Sequence, residues 1–153
     1  MRTPAELTEI FRAQGLKVTP QREAIFRALH TSEIHPTAEA VYDDVRASMP
    51  TISLRTVYQT LNDLTAMGEI HAIELGTGSA RFDPNDRPHH HLVCGACGRV
   101  DDLAADFPGV ALPAENDFGF EVTATEIVFR GRCRDCAAAH TDEADHSAST
   151  PTH

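Results

Sequence analysis

The feature that most restricts how this chain can fold is its cysteine pattern. All four cysteines fall in two C-x-x-C pairs, Cys94/Cys97 in "VCGACG" and Cys133/Cys136 in "GRCRDC", with residues 98–132 between them. Each pair is a short chelate loop, and two such loops give four soft thiolates for one tetrahedral zinc ion of the closed, structural kind. In a reducing compartment this pattern favours metal thiolates over disulfides. Closed coordination leaves no position for water, so the ion would stabilise the fold without catalysing anything. The segment around and between the pairs holds short apolar runs, "HHLVC", "RVDDL" and "FEVTATEIVFRGRC", which read as strands of a small sheet, while Pro108 and Pro113 break any long helix there. A chain of 153 residues suggests one domain or two small ones. Two halves would each be marginal without a metal staple or a dimer interface.

The first half has a different texture. Leu7, Ile10 and Phe11 recur at helical spacing within residues 4–14, and Thr19-Pro20 is an N-cap followed by proline at the first helical position, opening a helix to about His30 around Ile25, Phe26 and Leu29. Thr37 starts a third helix, with Ala38, Val41, Tyr42 and Val45 expected inside, which ends before Pro50. A fourth begins at Ser53, stops at Gly68, carries the core stripe Val57, Leu61 and Leu64, and can be stapled by Ile52 against Val57. After it, "EIHAIEL", "GTGS" and "ARFD" read as a hairpin with a glycine-rich turn. Short helices followed by a hairpin are the plan of a winged helix-turn-helix. The outer face of the fourth helix presents Arg55, Gln59 and Asn62, with Thr56 and Tyr58 on its flanks. Arg, Gln and Asn make bidentate contacts to base edges in the major groove, although a polar outer face is also the norm for any solvated helix.

The net charge of −10 argues against a nucleic-acid partner until it is divided. Residues 1–83 hold 8 Lys+Arg and 11 Asp+Glu, a net of −3, whereas residues 84–153 hold 5 and 12, a net of −7. Within the first part, Arg12, Lys17, Arg22 and Arg27 face only Glu23, so a small basic patch could bring Lys17 and Arg22 to DNA phosphates. No run approaches the roughly 18 apolar residues of a membrane span, and the N-terminus "MRTPAELTEIFRAQG" is a charged amphipathic pattern rather than a secretory signal. A soluble cytoplasmic protein without a membrane partner is the expectation. Residues 137–153, "AAAHTDEADHSASTPTH", lack an apolar period and are expected to be a disordered tail, so His140, His146 and His153 are poor candidates for specific ligands.

One cluster remains unclaimed. In "HHHLVC", His89 and His91 share a face of a strand, and His90 points the other way. Two imidazoles on one face invite a metal but do not complete a site. Nearby acids and the isolated His35 of "HPTA" are candidates that spacing alone cannot recruit.

Taken together and in order, "GLKVTPQR", "HPTAEAVYDDV", "ISLRTVYQTLNDLTAMGEI", "ARFD", "HHHLVCGACGRVDDL" and "GRCRDC" resemble the ferric uptake regulator family of bacterial metal-dependent repressors, over roughly residues 5–136. The resemblance implies an α+β fold: a winged helix-turn-helix DNA-binding domain at residues 1–83 and a small α/β dimerisation domain at 84–136 holding the four-cysteine zinc site. It also implies a homodimer on a palindromic double-stranded operator, and a regulatory metal held by His35, Asp83, His89, His91 and Asp102. Three imidazoles and two carboxylates suit Fe²⁺ or Mn²⁺ better than an all-sulfur site would. Iron-uptake members usually have Glu where this chain has Asp83 and Asp102. Two aspartates are the pattern of the peroxide-sensing branch, in which the oxidation targets would be His35 and His89. His90 stands where some iron-uptake members place an acidic ligand, and manganese sensors use similar ligands. The leading expectation is therefore a Fe/Mn-dependent repressor that senses peroxide by histidine oxidation. An uptake regulator without that chemistry is the alternative within the class. A small metal-dependent hydrolase is the rival from outside it, opposed by the absence of H-E-x-x-H and H-x-E…C-x-x-C patterns, so no enzymatic activity is expected.

Overall fold

The computed structural model describes residues 1–32, 34–76, 78–85, 87–113 and 118–139. They fall into two compact units, Met1–Arg87 and Pro88–His153, the second described only as far as residue 139. The division lies after Arg87 rather than after Asp83. Within the first unit, the Met1 amino group donates to Pro84 O at 2.8 Å, and the Asp83 carboxylate accepts from Asn85 N–H at 2.7 Å.

The first unit runs α1 (Pro4–Ala13), α2 (Pro20–Thr31), α3 (Ala38–Ser48), α4 (Leu54–Ala66), β1 (His71–Ile73) and β2 (Arg81–Asp83). Each helix is started by a hydroxyl. Thr3, Thr19, Thr37 and Ser53 accept the N–H of the residue three positions on, satisfying a donor the helix itself cannot. Both α1 and α4 end on a left-handed glycine, Gly15 at φ 73° and Gly68 at φ 71°. This lets Leu16 N–H reach Phe11 O at 2.8 Å and Glu69 N–H reach Leu64 O at 2.9 Å, which closes the helix ends. The apolar stripes then converge: Leu7, Phe11, Ile25, Phe26, Leu29, Val57, Leu61 and Leu64 are all fully buried. Ile52, just before the cap of α4, is buried in the same cluster as Val57. Tyr42, expected inside, is half-buried: it packs against the edge of the core cluster, with the Arg46 guanidinium 5.5 Å from its ring centre. β1 and β2 form an antiparallel hairpin, His71 opposite Asp83, and Ile70 and Phe82 complete the core beneath it. Four helices and a hairpin wing give the expected winged helix.

The second unit is a three-stranded sheet, β3 (His90–Cys94), β4 (Val100–Leu103) and β5 (Val128–Gly131), in the order β4-β3-β5. β3 pairs antiparallel with β4 across a tight turn and parallel with β5. A parallel pair needs a long crossover, which residues 104–127 provide. Two sequence expectations require correction. The strand read over "FEVTATEIVFRGRC" is too long: only Val128–Gly131 joins the sheet, while residues 120–127 are irregular. The alternation is present, but a strand also needs a hydrogen-bonding neighbour, and β3 offers partners only from His91 to Cys94. Phe120 and Val122 accordingly stand 81% and 53% exposed. Residues 137–139, expected in the tail, instead end a short helix over residues 134–139, with Ala137 N–H bonded to Cys133 O at 2.9 Å. Three consecutive alanines, the strongest helix formers, extend the turn that follows Cys133. Residues 140–153, including His140, His146 and His153, lie outside the described residues.

Candidate metal centres and nucleic-acid interface

The β3–β4 turn carries Cys94 and Cys97, and the residues after β5 carry Cys133 and Cys136. Parallel pairing places Cys94 opposite Gly131, so the second pair emerges beside the first. The four sulfurs lie within 4.8 Å of one another, and Cys97 Sγ and Cys133 Sγ are 3.7 Å apart. Four thiolates around zinc at bonds of about 2.3 Å stand about 3.8 Å apart, so the residues fit the ion. The backbone is arranged for anions as well: N–H groups of Cys133, Cys97 and Ala96 turned toward Cys94 push its thiol down to about 6. Cys136, crowded by the sulfurs of Cys133 and Cys97, is pushed up to about 12. Without a cation, four sulfurs this close cannot all ionise; a divalent ion removes that conflict.

The remaining metal candidates are organised separately in each unit. In the first, the "HPTA" loop runs beside β2. Phe82 N–H donates to Pro36 O at 2.9 Å, Thr37 bridges Arg81, and Arg81 Nη1 donates to His35 O at 2.9 Å. These bonds bring His35 Nε2 to 3.6 Å from Asp83 Oδ1, both side chains buried. In the second unit, β3–β4 pairing sets Asp102 directly across from His91, on the face that His89 shares with His91. His89 Nε2 lies 3.1 Å from His91 Nε2 and 3.5 Å from Asp102 Oδ1. Adjacent ligands of a six-coordinate ion with bonds of roughly 2.1 Å stand about 3 Å apart, so the His89–His91 pair has the spacing of one edge of a metal shell, with Asp102 close beside it. His90 points to the opposite face, toward Phe107.

The outer surface of α4 exposes Arg55, Tyr58, Gln59 and Asn62, with Thr56 half-buried near the N-terminus. Lys17, Arg22, Thr56 and Gln59 meet at one cleft of about 420 Å³, together with Thr19 and Gln21. Two of the candidate DNA contacts, Arg22 and Tyr58, are engaged in ways the sequence does not announce. Arg22 Nη2 is bonded to Asp63 Oδ2 at 2.7 Å with its guanidinium 5.1 Å from the Phe11 ring centre, so it ties α2 to α4 instead of standing as an open surface cation. Tyr58 Oη donates to Glu39 Oε1 at 2.7 Å, which raises the phenol and lowers the carboxyl from their ordinary values. Glu39, Asp63 and Glu126, the last bonded to His91, escape sequence reasoning because each is a lone acid whose partner is fixed only by tertiary packing.

A winged helix, a thiolate-stapled sheet and paired imidazole and carboxylate donors define the class of metal-binding transcriptional regulators. Residues 13–130 match the Ferric uptake regulator family. The peroxide-responsive repressor PerR of Staphylococcus aureus is 33% identical over 126 residues, 82% of this chain and 85% of that one. The chain therefore belongs to the ferric uptake regulator family, whose members regulate transcription and are not enzymes. Among solved structures, the Helicobacter pylori ferric uptake regulator Fur shares the fold at a TM-score of 0.72 and 23% identity, covering 87% of this chain and 90% of that one. PerR from Streptococcus pyogenes, described for peroxide sensing and gene regulation, matches with a TM-score of 0.52 and 28% identity, over 89% and 94%.

Proposed function

We propose that the chain is a DNA-binding repressor that uses Fe²⁺ or Mn²⁺ as corepressor and senses hydrogen peroxide. Zinc in the Cys94/Cys97/Cys133/Cys136 site stabilises the second unit. The regulatory-ion ligands in this reading are His35, Asp83, His89, His91 and Asp102. The observation that carries this reading is the His89–His91 pair, spaced as one edge of a metal shell, with the Asp102 carboxylate 3.5 Å from His89. Residues 1–83 read DNA through Arg55, Thr56, Tyr58, Gln59 and Asn62, with Lys17 and Arg22 near the phosphates. Residues 84–136 pair two copies. The exposed Phe118, Phe120 and Val122, at 56%, 81% and 53%, support a second copy covering this segment, and a two-fold dimer calls for a palindromic operator. Among the described residues no helix is long and apolar enough to cross a membrane. Ionised thiolates and a DNA target fit the reducing cytoplasm.

The peroxide reading rests on the donor set, in which both carboxylates are the short Asp, and on likeness to a peroxide-responsive repressor. His35, Asp83, His89, His91 and Asp102 would hold an Fe²⁺ that activates H₂O₂. In the net reaction the imidazole of His35 or His89 supplies both electrons, one peroxide oxygen is added to its ring carbon and the other leaves as water. An altered ring is a poorer ligand, and the DNA-binding state is then lost. The test is mass spectrometry of tryptic peptides after brief exposure to low H₂O₂. One added oxygen on the His35 or His89 peptide is expected with Fe²⁺ and not with Mn²⁺. No added oxygen in the Fe²⁺-loaded protein would leave a plain iron- or manganese-uptake regulator.

A further inference from the structure

We infer that Glu126 is a positioning residue for the regulatory metal: its carboxylate holds the His91 ring so that Nε2 is the atom presented to the ion. The inference rests on the reading of His91 as a ligand. His91 Nδ1 lies 2.7 Å from Glu126 Oε1. An ionised carboxylate can only accept, so the ring nitrogen supplies the proton, and the neutral imidazole then carries its lone pair on Nε2. That Nε2 is the atom 3.1 Å from His89 Nε2, and His89 Nε2 is in turn 3.5 Å from Asp102 Oδ1. The tautomer that Glu126 selects is therefore the one that aims a lone pair at the other donors.

Glu126 is 47% exposed and sits on an irregular segment, where a glutamate would ordinarily sample many rotamers. Two contacts to its neighbour Ile127 restrain this one. Ile127 O accepts from His91 N–H at 3.0 Å, and Ile127 N–H donates to His90 Nδ1 at 3.2 Å. The His90 ring is backed by Phe107, with centroids 5.1 Å apart, and Phe107 by Phe129 at 5.4 Å. The three consecutive histidines thus divide their work across the two faces of β3. His89 and His91 take the metal, while His90 clamps the segment that carries Glu126. Losing the carboxylate behind a metal-bound imidazole costs about 10–100-fold in metal affinity, and partial exposure sets this case at about tenfold.

The experiment uses the full zinc-loaded chain. Imidazole ¹⁵N correlation spectra of the protein before Mn²⁺ addition report the tautomer, with His91 assigned through His91→Gln, and calorimetry with Mn²⁺ reports affinity. Wild type should show His91 as the Nδ1–H tautomer. Glu126→Ala should lose that preference and bind Mn²⁺ about tenfold more weakly, with zinc content and melting temperature unchanged. Glu126→Gln, whose carbonyl still accepts, should keep the tautomer and most of the affinity. An Nε2–H tautomer in wild type, or identical tautomer and affinity in Glu126→Ala, overturns the inference. If wild type takes up no Mn²⁺, the ligand reading of His91 fails, and the tautomer comparison still decides the role of Glu126.

Discussion

Removing Asp63 tests whether Arg22 holds the winged helix together or serves mainly as a phosphate contact. The Arg22 side chain is 11% exposed and that of Asp63 26%, and their bond is 2.7 Å. Arg22 Nη1 is already buried without a hydrogen-bond partner, so the guanidinium depends on Asp63 and the Phe11 ring. Breaking a fully buried pair by deleting one member costs about 3–5 kcal/mol, and a hydrogen bond to a charged group contributes about 1.5–3. Because Asp63 is a quarter exposed, water can reach the orphaned guanidinium, and we expect Asp63→Ala to cost about 2 kcal/mol. Asp63→Asn, which keeps an acceptor, should cost about half of that. In a chain of this size, about 2 kcal/mol corresponds to a loss of roughly 4–8 °C in melting temperature. Urea unfolding followed by circular dichroism measures it, and a double-mutant cycle with Arg22→Ala should return a coupling of at least about 1 kcal/mol. A loss below about 0.5 kcal/mol would refute the tether. So would a fall of about 1 in the salt-dependence slope of DNA binding in Arg22→Ala with stability unchanged, which would make phosphate contact the main role of Arg22.

Other outcomes follow from the same geometry. Cys136→Ser should release zinc and lower the melting temperature of the sheet, since three sulfurs lose both softness and closure; a variant that keeps one tightly bound zinc per chain and melts like wild type contradicts the site. Arg55→Ala and Tyr58→Ala should weaken operator binding without changing zinc content, and Arg55→Ala should relax specificity at one position of each half-site by about 1–3 kcal/mol; unchanged affinity in both would move the reading surface off α4. Asp102→Glu keeps charge and donor type, so DNA binding with Mn²⁺ should persist. Its longer side chain should fill the coordination space that peroxide needs, and Fe²⁺-loaded protein should then gain no oxygen; full oxidation in this variant would deny carboxylate length its role.

Much of the first unit is legible in the sequence because its determinants are local. The hydroxyl caps at Thr19, Thr37 and Ser53, the stop at Gly68 and the stripe Val57, Leu61, Leu64 each act within one helix, and they lie where the pattern places them. The second unit depends on partners. That β5 pairs in parallel with β3, and so delivers Cys133 beside Cys94, is not encoded by the C-x-x-C spacing, which constrains only the metal end of the crossover. Alternation from Phe120 to Ile127 reads as strand, yet periodicity cannot say whether a neighbouring edge exists to receive it. The cross-strand position of Asp102 follows from the tight turn after Cys94, so His91 and Asp102 could be paired in advance. Glu126 could not, because its approach to His91 is set by the crossover.

A repressor switched by its metal must hold its operator more tightly with the regulatory ion than without it. Fluorescence anisotropy on a palindromic AT-rich duplex, with zinc-loaded protein before and after Mn²⁺, should show binding tighten by at least about tenfold, a coupling of about 1.4 kcal/mol between ion and DNA. Equal affinity in both states, or tightening that survives His89→Ala and His91→Ala, would contradict a metal-dependent repressor built on these ligands.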